Sequence, residues 1–182
     1  MRPFILATIF FPSSMLAQQP ATNPITDSFK GFGFYGNWLV AAFDSIPANQ
    51  YGFKPMPVQQ SVGYIAQHLE DANYQLCAIF GGVPRTTTAK DSLADTVKAR
   101  WPKDTLVARL RASLLFCRDA FERITDSNLG DLTTVGPPGA TRTFPRARYV
   151  ILFVTDLADH YSQIANYMRQ LGMVPPSALP GR

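Results

Sequence analysis

Four stretches of the chain repeat apolar residues at three- and four-residue intervals, a periodicity that limits it to packed amphipathic helices. The first runs through Ile25, Phe29, Phe32, Leu39, Val40, Phe43 and Ile46. Gly31, Gly33 and Gly36 weaken its first half, so a helix is predicted from about Asn37 to Ile46, with a start that extends earlier. The second comprises Val62, Ile65, Ala66, Leu69, Ala72, Leu76, Ile79 and Phe80, and Gly81-Gly82 stops it. The third follows Asp104, a candidate N-cap, through Leu106, Leu110, Ser113, Leu114, Cys117, Phe121 and Ile124. The fourth runs from Val150 through Val154, Leu157, Tyr161, Ile164, Ala165 and Met168 to Leu171, closed by Gly172 and Pro175-Pro176. No strand-like alternation of useful length accompanies them. The expected fold is all-α, a four-helix bundle around one apolar core.

The connections refine that expectation. Pro47, Pro55 and Pro57 mark a loop after the first pattern, and Gly136-Pro137-Pro138-Gly139 marks another between Leu129 and Pro145. Between the second and third patterns lie about 20 residues with Pro84, three threonines and Pro102, too long for a tight helical hairpin. A connection of that length suits a crossover, with the second and third helices running parallel.

Length and composition bound the rest. A chain of 182 residues supports one ordinary domain. With 46% hydrophobic and 16% charged residues and a mean hydropathy of −0.03, it is neither a disordered chain nor a polytopic membrane protein. Met1-Arg2-Pro3, the apolar run Phe4 to Phe11 and the stretch to Ala17 read as a secretory signal peptide over residues 1–17, with cleavage near Ala17. The run is shorter than the roughly 20 residues that span a bilayer, and Pro12 interrupts it, so no stable membrane span is expected after processing. Because Met15 rather than a small residue stands three before the cut, a membrane-tethering segment or a misplaced start site is the alternative. The expected organisation continues with a partly helical segment over 18–36, the bundle over 37–176 and a tail over 177–182. The location expected is periplasmic or secreted. The net charge of +4 is spread along the chain, as at Lys98, Arg109, Arg118, Arg148 and Arg169, without the clustered basic face that nucleic acid requires.

The chain has only two histidines, His68 and His160, and two cysteines, Cys77 and Cys117, which excludes zinc fingers and three-histidine metal sites. On helical geometry both histidines fall at the edges of their apolar stripes, where they can converge between helices. Asp156, four residues before His160, shares its face, and His68 would complete a 2-His-1-carboxylate set. The same spacing also fits two edge histidines satisfied by hydrogen bonds. Cys77 and Cys117 sit near the C-terminal ends of the second and third helices, so a disulfide is feasible in an exported protein; two buried free thiols are the alternative. Asn73 lies in the second helix's apolar stripe and must find a hydrogen-bond partner, expected across the bundle.

Three segments carry a family resemblance: Tyr51-Gly52-Phe53-Lys54-Pro55; Ser61 through His68-Leu69-Glu70-Asp71-Ala72-Asn73-Tyr74; and Asp159-His160-Tyr161-Ser162-Gln163 through Tyr167-Met168-Arg169 to Gly172-Met173-Val174-Pro175-Pro176. From Asn37 to Pro176 the chain resembles the DinB-like superfamily of four-helix bundles. The resemblance implies an up-down-down-up bundle with a long crossover between helices two and three. It also implies a divalent metal, zinc or nickel first and manganese or iron also admitted, held by one histidine on helix two and a His-x-x-x-His pair on helix four. His68 and His160 match the first and last of these, and Asp156 replaces the remaining histidine with a harder, anionic ligand.

Three protein ligands leave positions open for water or substrate, as in catalytic sites. Related enzymes are thought to activate small thiols this way, so the implied function is a metal-dependent transferase or hydrolase acting on an unidentified small molecule. The alternative is a non-catalytic exported binding or structural bundle that has lost the metal chemistry at Asp156. Asp159 and Gln163 could support the ligands or simply face solvent. Related bundles often pair, so a homodimer is one possible assembly, and the sequence does not fix the oligomeric state.

Overall fold

The computed structural model describes residues 22–180. Helix α1 spans Pro24–Gly31, α2 Phe34–Ser45, α3 Val62–Gly81, α4 Asp95–Lys98, α5 Lys103–Phe121 and α6 Arg146–Gln170, with strands β1 at Leu132–Val135 and β2 at Arg142–Pro145. The fold is mostly helical; the second, third and fourth apolar periodicities lie along α3, α5 and α6, and the first is divided between α1 and α2. The segment read as a signal peptide, residues 1–17, lies outside the described residues. Among the described residues no helix is long and apolar enough to cross a membrane.

The core lies where the four long helices meet, with Phe43, Phe80, Leu69, Leu110, Leu157 and Met168 all buried. Along α3 and α5 the contact partners rise together in number: Glu70 with Arg109, Asn73 with Ser113 and Cys77 with Cys117. Along α3 and α6 they run opposed, with Gln60, just before the α3 cap, at Tyr167, then His68 at His160 and Phe80 at Phe153. Tyr35 and Trp38 of α2 pack on Tyr161 of α6.

Local signals explain the helix ends. Ser61 caps α3 by accepting the Tyr64 N–H at 3.2 Å. Gly82, at φ +62°, ends α3 in the left-handed conformation that favours glycine. At Gly81 the backbones come close, since a Cβ there would meet the Cβ of Ala120 at 2.6 Å.

Three details differ from expectation. Asp104 is not the N-cap of α5: Pro102 occupies that position, and Asp104 stands in the first turn, where its charge still favours the helix's positive end. The loop after the third helix holds a small antiparallel hairpin, pairing Leu132 with Pro145 and Val135 with Arg142. Its four-residue strands are too short for alternation to register, and Gly136 and Gly139, at φ +110° and +83°, turn the chain between them. The weakened first half of the first pattern folds as a separate helix, α1, which meets α2 at Phe32-Gly33.

The Cys77–Cys117 disulfide is buried and joins α3 to α5, with the two Cα atoms 5.1 Å apart. Beside it, Asn73 Nδ2 donates to Ser113 Oγ at 2.9 Å, the partner across the bundle that its position required. Further toward the N-termini, Arg109 donates to both carboxylate oxygens of Glu70, at 2.6 and 2.9 Å, and to Asp91 in the crossover, and its guanidinium lies 4.8 Å from the Trp101 ring centre. Desolvation alone would raise the Asp91 carboxyl. The backbone N–H and hydroxyl of Thr88, together with Arg109, outweigh it and hold the group down from 3.8 to about 2.

Two predictions follow from this seam. Cys77→Ser with Cys117→Ser opens a cross-link over 40 residues and is expected to cost roughly 3–4 kcal/mol in a denaturant titration, the chain-entropy magnitude for such a loop. The Asp91 contribution is present in full above about pH 4 and is lost as the pH falls toward about 2. The native chain should therefore lose more stability across that window than Asp91→Asn, by about 1–2 kcal/mol in paired acid titrations.

Candidate metal centre

His68 sits on α3 two turns beyond the Ser61 cap, and Asp156 and His160 sit one turn apart on α6, where an i, i+4 spacing puts both side chains on one face. Because α3 and α6 pack side by side, the three meet. His160 Nε2 lies 3.6 Å from Asp156 Oδ1, and His68 Nε2 lies 4.0 Å from the same oxygen. The imidazole rings are steeply inclined, at 69°, with centres 5.0 Å apart. One ligand atom from each of the three lies within 4.8 Å of the others.

Burial is graded across the group. The side-chain exposures are 10% for His160, 26% for Asp156 and 38% for His68, so the cluster is anchored inside and opens at its His68 edge. Asp156 Oδ2 is buried with no hydrogen-bond partner. Burial pushes the Asp156 carboxyl above its ordinary range; His160 and His68 pull it down, and Asp159 adds a smaller upward push.

A chain of hydrogen bonds runs behind His160. Its Nδ1 is 3.0 Å from Gln163 Oε1, Gln163 Nε2 donates to the Tyr167 hydroxyl at 3.2 Å, and that hydroxyl donates to the Gln60 carbonyl at 3.1 Å. Burial raises the Tyr167 hydroxyl above its usual range, with Gln163 pulling the other way, so the protonated phenol enters the chain. Gln163 therefore supports His160, whereas Asp159 is exposed. Sequence reasoning missed Tyr167 as part of the site. Its position, seven residues after His160 and four after Gln163 on one helical face, was the available signal.

The arrangement suits a divalent cation. Two neutral imidazoles and a carboxylate form a common N/O donor set, and an ion with ligand bonds of about 2.0–2.2 Å holds its ligands no more than about 4.4 Å apart. The 4.8 Å spread exceeds that distance by about 0.4 Å. An apolar cleft of about 830 Å³ between α1, α2, α5 and α6 lies elsewhere and contains none of the three.

A sequence profile described as the DinB superfamily matches residues 37–164, most of the chain and all three candidate ligands. The chain belongs to the DinB superfamily. Two solved structures share the fold of this superfamily member. A DinB-like protein from Bacillus cereus ATCC 10987 is 17% identical with a TM-score of 0.62, over 82% of this chain and 95% of that one. A conserved protein from Enterococcus faecalis is 15% identical with a TM-score of 0.60, over 83% and 98% of the two chains. Among proteins of curated function, none matches the chain.

A desolvated carboxylate with an unpaired oxygen is a liability in a metal-free DinB-superfamily protein. Asp156→Leu is accordingly expected to stabilise the chelator-treated protein by about 1 kcal/mol in thermal melts while removing any stabilisation by added divalent metal.

Proposed function

We propose that this DinB-superfamily protein binds one divalent metal ion through His68, Asp156 and His160 and works as a metal-dependent transferase or hydrolase on a small molecule. The observation that carries the reading is the convergence of two imidazole nitrogens on Asp156 Oδ1, at 3.6 and 4.0 Å, while the other oxygen of that carboxylate, Oδ2, is buried with no hydrogen-bond partner. A buried anion in that state is unfavourable unless a cation meets it. His160 would hold the ion from the buried side, Asp156 would supply the compensating negative charge, and His68 would close the solvent edge. When bound, the ion supplies Lewis acidity and lowers the pKa of the attacking water or thiol. Zinc and nickel are the first expectations for this donor set, with manganese and iron also admitted.

The same reading takes α2, α3, α5 and α6 as an up-down-down-up bundle with a crossover between α3 and α5. The parallel numbering of α3 and α5 contacts and the opposed numbering of α3 and α6 support it. It also takes residues 1–17 as a signal peptide, and the Cys77–Cys117 disulfide, a bond suited to oxidising compartments, supports export.

Elemental analysis of the purified, processed chain tests the metal. About one equivalent of divalent metal is expected, with a chelator-dependent fall in thermal stability of about 2–3 kcal/mol when free metal stands near a hundredfold over its Kd. His160→Ala should lose both. Absence of metal after supplementation overturns the reading.

A further inference from the structure

The hydrogen-bond chain behind His160 has a direction, and that direction decides which ring nitrogen carries the proton. It ends at the Gln60 carbonyl, which can only accept. The Tyr167 hydroxyl, 3.1 Å away, must therefore donate its one proton there. Its oxygen is left as an acceptor for the Gln163 amide N–H at 3.2 Å. That orients the other end of the amide, Oε1, toward His160 Nδ1 at 3.0 Å. An amide oxygen can only accept, so Nδ1 carries the hydrogen and the neutral ring keeps its lone pair on Nε2. Nε2 is the nitrogen that lies 3.6 Å from Asp156 Oδ1.

Turning the Gln163 amide over breaks the sequence. Its NH2 would then face Nδ1 and its oxygen would face Tyr167, whose single proton cannot serve both Gln163 and the Gln60 carbonyl. A free neutral imidazole favours the opposite tautomer, with the proton on Nε2, so the orientation at His160 is imposed by its neighbours.

We infer that Gln163 and Tyr167 are positioning residues that hold His160 as the Nδ1–H tautomer, with Nε2 ready to ligate a metal ion. The inference rests on the metal-site reading above for its purpose; its geometry stands without it. Gln60 immediately precedes Ser61, the cap of the helix that carries His68. The chain therefore also ties His160's orientation to the start of α3, coupling the two histidine-bearing helices at the site. Among the described residues no side chain hydrogen-bonds the His68 ring, so one histidine is preset while the other, at the exposed edge, is free to adjust.

The test reads the tautomer directly, in full-length protein stripped with chelator and labelled with ¹⁵N-histidine. Two-bond ¹⁵N–¹H correlation spectra are recorded above the histidine titration range. The chain has two histidines, and His68→Gln assigns the pair. Native His160 is expected to show the Nδ1–H pattern alone. Gln163→Leu should shift it to the Nε2–H or an averaged pattern and weaken zinc binding by roughly 10–100-fold in calorimetric titration, the usual effect of losing a group that orients a ligand. Gln163→Glu, which keeps an acceptor at Nδ1, should keep the pattern. Tyr167→Phe removes one oxygen without touching His160 and should move spectrum and affinity in the same direction as Gln163→Leu, so the test survives if that variant misfolds. An Nε2–H pattern in the native protein, or unchanged spectra in Gln163→Leu and Tyr167→Phe, overturns the inference. An Nδ1–H pattern without zinc uptake supports the positioning chain and counts against the metal reading; zinc uptake with an Nε2–H pattern does the reverse.

Discussion

The seam between α3 and α5 is the constraint on which the rest of the molecule depends. A disulfide, a buried amide–hydroxyl hydrogen bond and an Arg109–Glu70 ion pair occupy successive turns along it, at sequence separations of 40, 40 and 39. Each link alone admits some sliding or rotation of one helix on the other. Together they set α3 in register with α5 and leave its opposite face to meet α6. His68 lies on the side of α3 that faces α6, so its position relative to Asp156 and His160 follows from a seam it does not touch.

Polar groups are arranged differently on the two sides of α3. Toward α5, the Asn73 amide N–H, Glu70 and Arg109 find partners, although Asn73 Oδ1 is buried without one, and Asp91 joins Arg109 to pin the crossover. Toward α6, Asp156 keeps a buried oxygen without a partner. The paired Glu70 carboxylate and the half-orphaned Asp156 carboxylate thus stand on two sides of one helix, and among the described residues only the second lacks a cationic side chain of Lys or Arg beside it, which is the electrostatic ground for the proposed cation. The directed chain from Gln60 to His160 adds to this, because it spends three hydrogen bonds on the orientation of a single imidazole.

Much of this was legible in the sequence, for physical reasons that can be named. The 3.6-residue period marks α2, α3, α5 and α6 because each buries one face along its length. His68, Asp156 and His160 could be singled out because histidine is scarce and an i, i+4 carboxylate shares its neighbour's face. The hairpin escaped because strands of four residues carry too little alternation, and α4 because four residues make barely one turn. Asp104 misled because an acidic residue looks alike at the N-cap and in the first turn, and Pro102 decides between them only once the backbone is known. Tyr167 shares the helical face of His160 and Gln163, but its other partner, the Gln60 carbonyl, is a backbone group 107 residues away that no side-chain pattern announces.

The central claim is that His68, Asp156 and His160 share one metal ion. Anomalous diffraction from crystals of the chain soaked in zinc, collected on both sides of the zinc edge, addresses it most directly. The account predicts a single anomalous peak bonded to an imidazole nitrogen of His68, Nε2 of His160 and a carboxylate oxygen of Asp156. A zinc peak elsewhere, or bound to only one of the three, contradicts it.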